Sequence, residues 1–307
     1  MTEREGLGRV DGKWLEAILM DPTADAPRLV FADQLIAQRD PRGQFIALQC
    51  AMVRTESMLE TESELLKQHA SEWLGGLELE NVEWRRGFPV KGSLAVHLLT
   101  SEALARVPLE SVRLTQFKKM DEAFFSAKSH PTVRSFQFGS AFSDLHCRAL
   151  SAPLFARAVS FDFSSGTFAT SALFDELGKG QFARLEELVL DGTPLNDVAL
   201  SNLSRTRFWS RLDLLSLANT PALTPMMATS LTAATSLRTL KLKLELDERW
   251  GVSLLKHAPR SLRTVEATIS KLPPLLRGQL EKRFSFEPEP LGATALGSYT
   301  GTNSSQP

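Results

Sequence analysis

The sequence predicts an α/β fold in which about seven strand-helix units stack into a solenoid with a parallel, concave sheet, preceded by a small helical domain. Three observations carry that expectation. An apolar frame recurs seven times, with starts 24 to 27 residues apart. The stretches between copies place apolar residues three and four apart, the spacing of a helix with one buried face. The residues before 81 lack the frame and read as short amphipathic helices instead.

The frame occupies positions one, four and six of each copy. Its strongest examples are Leu185, Leu188 and Leu190, then Leu212, Leu215 and Leu217, then Leu237, Leu240 and Leu242. Leu262, Val265 and Ala267 follow; upstream lie Leu109, Val112 and Leu114, Val133, Phe136 and Phe138, and Ala158, Phe161 and Phe163. Positions four and six alternate, so both point inward from a short strand, and position one points inward from the turn before it. One such unit cannot bury its own apolar face, so the copies must stack. This is the LxxLxL core of a leucine-rich repeat, whose period falls in the same range. One departure is visible. Where such repeats carry an Asn or Cys that satisfies loop backbone, this chain has Thr193 and Thr220, and elsewhere Phe117, Ala141 and Gly166. A thin buried polar ladder is expected.

In chain order, Asp11 opens a helix with Trp14, Leu15, Ile18 and Leu19 inward. Pro27 stands in the first turn of a second, capped by Asp25, with Leu29, Val30, Leu35 and Ile36 inward. Asp40, Pro41, Arg42 and Gly43 form a turn into a third helix starting near Phe45, and a Glu-rich helix runs from Glu56 to Trp73. Residues 1–80 form the helical domain, and 81–108 a cap and lead-in strand around Trp84 to Pro89 and Val90 to Leu98. The repeats fill 109–271, with helices over Asp121 to Lys128, Thr167 to Leu177, Asn196 to Leu203, Thr224 to Ala233 and Asp247 to His257. Ser143, Thr224 and Asp247 are N-cap candidates. A last helix caps the stack over 272–286, and 287–307, rich in Pro, Gly, Ser and Thr, reads as a disordered tail.

The front carries a resemblance. Leu15 to Pro22, Asp25 to Leu35 and Arg39 to Gln49, followed by Trp73-Leu74 and Glu83 to Phe88, resemble the bacterial repeat-companion domain over roughly residues 12–95. Gln34 departs from the family, which usually has Trp there, and so alters a local packing or contact site. The resemblance implies a cytoplasmic bacterial repeat protein and supplies no activity. Asp25, Arg28, Asp33, Asp40 and Arg42 are the polar residues of these blocks. They serve either as a recognition surface or structurally, with Asp25 as a cap, Asp40 and Arg42 shaping a turn and Arg28 paired to a carboxylate.

Composition excludes several function classes. The formal net charge of −1 gives no basic field for nucleic acid. The start, Met1 to Glu5, lacks a basic segment followed by an apolar one, so no secretory signal is expected. No apolar run reaches the roughly 18–20 residues of a membrane span. Cys50 and Cys147 are expected as free thiols of a reducing cytoplasm. The histidines (His69, His97, His130, His146, His257) are scattered, and neither an HExxH nor a CxxC spacing occurs. His146 beside Cys147 diverges by about 100 degrees on a helix and reads as packing. Gly178 to Gln181 lacks the phosphate-loop frame, and no Ser lies in a GxSxG setting. No enzyme, cofactor or metal is expected.

The outward residues of the strands are the expected binding face, about 29 Å long at ~4.8 Å per strand. Its middle is acidic (Asp162, Glu186, Glu187, Asp191, Asp213) and its far end basic (Arg238, Lys241, Lys243, Arg263), with Arg113 and Arg134 upstream. No aromatic anchor stands among them, and Phe208-Trp209 reads as core or edge packing. The expected role is a non-catalytic scaffold or adaptor that binds another protein through this concave face. Two alternatives stand beside it: regulation of a small GTPase or other signalling enzyme, which needs an exposed Asn or Arg at a repeat edge, and partner binding by the helical front with the repeats as spacer.

Overall fold

A computed structural model describes residues 12–287 except 118, 119, 121 and 181. The cap expected at Asp11, the first residue of the helix expected from Asp121, and the tail beyond 287 lie outside the described residues. Among the described residues ten strands form one sheet whose spatial order is the chain order. They are β1 (Glu80–Arg85), β2 (Phe88–Ala95), β3 (Ser111–Gln116), β4 (Ser135–Phe138), β5 (Ser160–Asp162), β6 (Glu187–Val189), β7 (Leu214–Ser216), β8 (Thr239–Glu245), β9 (Thr264–Thr268) and β10 (Ser285–Glu287). β1 pairs antiparallel with β2, and every later pairing is parallel.

Each copy of the apolar frame supplies one strand, β3 to β9, and its three frame residues are buried in every copy. A parallel neighbour requires a crossover, which returns the chain over the buried side. The returns hold α5 (Glu102–Ala105), α6 (Glu122–Ser126), a 3-10 helix (Asp144–Ser151), α7 (Ala172–Lys179), α8 (Asp197–Leu203), α9 (Ala228–Leu231) and α10 (Glu248–His257). α11 (Pro274–Arg283) then leads into β10. Asn196 and Asp247 cap α8 and α10, accepting from the Ala199 and Trp250 amides at 2.9 Å each. Thr224 accepts from Met226 in the turn before α9.

Several boundaries differ from expectation, two of them in the repeats and at their end with a visible cause. α7 starts at Ala172 rather than near Thr167, because the amides of Ala169 and Thr170 are held by the Asp144 carboxylate of the preceding unit. The chain after α11 adds a strand to the sheet instead of ending at the helix, with Ser285 paired to Thr264.

One apolar cluster runs from Leu79 to Phe284. Its middle is phenylalanine, since the frame positions of β4 and the β5 unit are Phe136, Phe138, Phe161 and Phe163. Phe138 stacks on Phe163 at 4.5 Å and lies 4.6 Å from Phe142. Phe208 and Trp209 join the core as expected, the Trp209 indole donating to the Ser230 carbonyl at 3.0 Å. The polar ladder is thin along the threonines, which bond only their own turns: Thr193 to the Leu190 carbonyl and Thr220 to the Leu217 carbonyl. Aspartates tie successive units instead. Asp191 accepts from Ser216 Oγ and the Ala218 amide, and Asp197 from the Thr224 amide and hydroxyl.

Beneath β3 and β4, His130 is buried. Its Nε2 donates to the Leu104 carbonyl at 2.8 Å, while Nδ1 accepts from the Thr132 and Val133 amides. That arrangement requires the neutral ring. Burial pushes its pKa below 6.5; the Leu104 carbonyl opposes the shift and the Arg134 charge adds to it. A buried neutral histidine binds fewer protons than the unfolded chain does, so stability is full above pH 6.5 and falls as pH drops through the folded value. Urea titrations from pH 7.5 downward should therefore show a steeper loss for wild type than for H130Q, and parallel curves would refute the linkage.

The helical front has its own small apolar cluster, built from α1 (Gly12–Met20), α2 (Ala26–Ala37), α3 (Pro41–Cys50) and Phe88 of β2. α4 (Glu56–Leu74) packs on α3 through Trp73, which lies 4.9 Å from Phe45. Several roles expected of this segment change. Asp25 makes no side-chain cap bond and pairs with Arg86 at 3.0 Å. Arg28 is 1% exposed and has no carboxylate partner among the described residues; it donates to the Ala24 carbonyl and faces the Phe88 ring. Arg42 packs over the same ring at 4.9 Å, and burial pushes its pKa down to about 10. Leu29, Val30 and Ile36 face outward at 40%, 41% and 48% exposure. Phe88, arriving from the β1-β2 hairpin, takes the inner side of α2 and leaves the aliphatics in solvent. The turn expected over Asp40 to Gly43 is instead the first turn of α3, which Asp40 caps by accepting from the Arg42 amide at 2.8 Å.

Candidate functional site

The outward side chains of β3 to β9 form two columns fixed by the strand register. Arg113, Gln137, Asp162, Val189, Ser216, Lys241 and Glu266 are consecutive partners. Ser111, Ser135, Ser160, Glu187, Leu214, Thr239 and Thr264 make the second column. A third is set at the strand starts by amide-to-carbonyl bonds linking Glu110, Arg134, Val159, Glu186, Asp213, Arg238 and Arg263. Alternation places these residues away from the core.

The expected binding residues share this face, but most are engaged within it. Asp162 accepts from Gln137 Nε2 at 3.0 Å and from the Ser164 amide. Asp191 is held by the next unit, as above. Asp213 pairs with Arg238 at 3.4 Å, and Lys241 with Glu266 at 2.5 Å. Arg113 reaches Ser165 at 3.4 Å. Arg134 donates to the Pro131 and Val133 carbonyls, and Arg263 to that of Arg260. Lys243 is exposed at a left-handed position (φ 47) where β8 changes register. Glu186 and Glu187 are exposed, and neither has an ion pair or side-chain hydrogen bond among the described residues. The acidic middle therefore reduces to this pair as free charge. Beside it lies an open trough of about 500 Å³ lined by Glu186, Arg211, Asp213, Ser236 and Arg238.

Sequence reading passed over three further residues. Arg157, Arg184 and Arg211 are exposed in the turns before β5, β6 and β7, each three residues ahead of the register-paired Ser160, Glu187 and Leu214. Their signal was available: each immediately precedes the first residue of the frame.

The titratable groups elsewhere do not converge. His146 is taken up in the turn at Ser143, and His69 stacks on Trp73. Cys50 and Cys147 are free, and burial pushes their thiols up to about 11 and about 12, where thiolate is scarce. Among the described residues no three His, Cys, Asp or Glu side chains are placed to hold a metal, and no helix is long and apolar enough to cross a membrane.

No protein-family model and no curated protein matches the chain. Two solved structures resemble it only distantly. A Bacteroides fragilis protein from a structural genomics consortium is 12% identical, with a TM-score of 0.38, over 61% of this chain and 48% of that one. The chain thus spans about half the length of that protein. The yeast Rad7 and Elc1 complex matches over 82% of this chain and 81% of that one, at 11% identity and a TM-score of 0.30. Neither likeness is close enough to carry a function across.

Proposed function

We propose that the protein is a non-catalytic scaffold or adaptor that binds another protein through the outward face of its sheet. The observation that carries this reading is the pair Glu186 and Glu187. These charges are exposed and unpaired, on a face whose other expected charges are mostly tied up. Two unpaired like charges on one strand start present a fixed target for a basic surface on a partner. The reading takes the chain as a leucine-rich-repeat solenoid of about seven repeats behind a repeat-companion-like domain, in a bacterial cytoplasm. That finer assignment is supported by the spacing of the frame, the sequence blocks of the front and the free thiols.

Affinity capture from the native cell with wild type and E186K/E187K in parallel tests it. Both sites are exposed, so the variant should melt as wild type does, and the captured partner should be lost. A second reading is favoured by the outward aliphatics of α2, which present an apolar patch on the helical front. Capture that survives E186K/E187K and is lost in V30E/I36E would assign binding to that patch.

A further inference from the structure

The register reveals an arginine on each of six consecutive units along one edge of the sheet. Arg134 precedes the first paired residue of β4 by one position; Arg157, Arg184 and Arg211 precede those of β5, β6 and β7 by three; Arg238 and Arg263 precede those of β8 and β9 by one. At ~4.8 Å per strand the row is about 24 Å long. Four members have work in the fold. Arg134 and Arg263 bond carbonyls of their own turns, Arg211 bonds the Ala183 carbonyl of the preceding unit, and Arg238 pairs with Asp213. Arg157 and Arg184 are exposed on adjacent units, with no hydrogen bond or ion pair among the described residues. They stand close enough to Arg134 for their charges to add to burial in depressing its pKa. Neighbouring cations with no structural duty repel one another, and an anion laid across them would relieve that repulsion.

We infer that this strand-start row, centred on Arg157 and Arg184, is a docking edge for an extended acidic segment of a partner protein. Guanidinium forks match carboxylates bidentately, and the row contains arginine rather than lysine throughout. An extended segment rising ~3.3 Å per residue covers the row with about seven residues and presents a side chain to it at every second one. A nucleic-acid strand fits less well. Single strands bind by stacking bases on aromatic rings, and Phe155, Phe182, Phe208 and Trp209 in these units are all buried. Glu186 and Asp213 also interrupt the row, where an unbroken phosphate chain would meet them and alternating acidic side chains can straddle them.

The inference rests on the protein-binding reading, and the two can fail separately. The probe is a fluorescent peptide of alternating Glu and Ser, about 14 residues long, so that the row is covered in any register. Wild type should bind it saturably at low salt and progressively less as salt rises. R157A/R184A should bind on the order of tenfold or more weakly with unchanged melting, since each lost charged hydrogen bond is worth about that factor. E186K/E187K, expected to lose the captured partner, should bind the acidic peptide more tightly. If the double arginine variant melts early, R184A alone gives the same comparison. Absence of saturable binding at low salt, or equal binding by R157A/R184A, would overturn the inference. So would tighter binding of an oligothymidylate of the same charge, which would assign the row to phosphate.

Discussion

Phe138→Ala should cost about 3–5 kcal/mol of stability, the range for emptying a fully buried phenylalanine site. Phe138 has no exposed surface and sits among Phe117, Phe142, Phe155, Phe161 and Phe163, with centroids 4.5 to 6.3 Å away. Each such pair adds about 0.5–1.5 kcal/mol beyond its buried area. Rigid rings on β4, β5 and their returns cannot relax into the space as flexible aliphatics would. In a stacked fold each unit is held by its neighbours, so the loss falls on the contacts joining the β3, β4 and β5 units. Thermal melting should drop by on the order of 10 °C. Phe138→Leu, which restores the residue found at the equivalent Leu190, should recover most of the loss. A melting point within a degree or two of wild type for Phe138→Ala would show that the rings do not carry this part of the core.

Gly87→Ala should release the helical front from the sheet. Gly87 has φ +82, and a Cβ there would run into the Ile46 side chain of α3. Its amide donates to Gln49 Oε1 at 2.7 Å, and its carbonyl accepts from Arg42 Nη2 at 3.5 Å. Gln49 also donates to Glu62 of α4 and to the Trp84 carbonyl, so one side chain joins two helices to the β1-β2 hairpin. Left-handed backbone strain and overpacking together cost roughly 2–6 kcal/mol, concentrated at this junction. Protease should then cut the front at concentrations that spare the sheet, and tryptophan emission should shift red as Trp73 and Trp84 lose their packing. A proteolysis pattern like that of wild type would contradict the junction as drawn.

The same residues show what could be read from sequence. The frame made the sheet legible because period-two alternation within a strand and a 24 to 27 residue repeat between strands fix both the inward set and the column partners. Caps at Thr224 and Asp247 were legible because the donor lies two or three residues away. The ties from Asp144, Asp191 and Asp197 were missed because their donors lie one whole unit later. The front was harder. Helical spacing placed Leu29, Val30 and Ile36 inward, but Phe88 and the stems of Arg28 and Arg42 fill that side. A ring delivered from a hairpin some 60 residues downstream leaves no local signal. β10 rests on the alternation of Phe284, Ser285 and Phe286, whose rings pack on the core, and on the open edge of β9 to which it pairs.

On the outward face of the sheet the column partners were legible from the repeat, but not which of their charges were free. Pairing Asp213 with Arg238 and Lys241 with Glu266 partly neutralises those charges and leaves Glu186, Glu187 and Lys243 without a side-chain partner among the described residues. The exposed Asp213–Arg238 pair contributes little to stability, roughly 0–1 kcal/mol, so its main effect is on the surface field.

The most direct measurement of the central claim is the equilibrium affinity of the captured partner for wild type and for E186K/E187K, at matched ionic strength and with melting points confirmed equal. Binding at least about tenfold weaker in the variant is expected, because like charges now face the partner's basic surface. Equal affinities would remove the outward face of the sheet as the binding site.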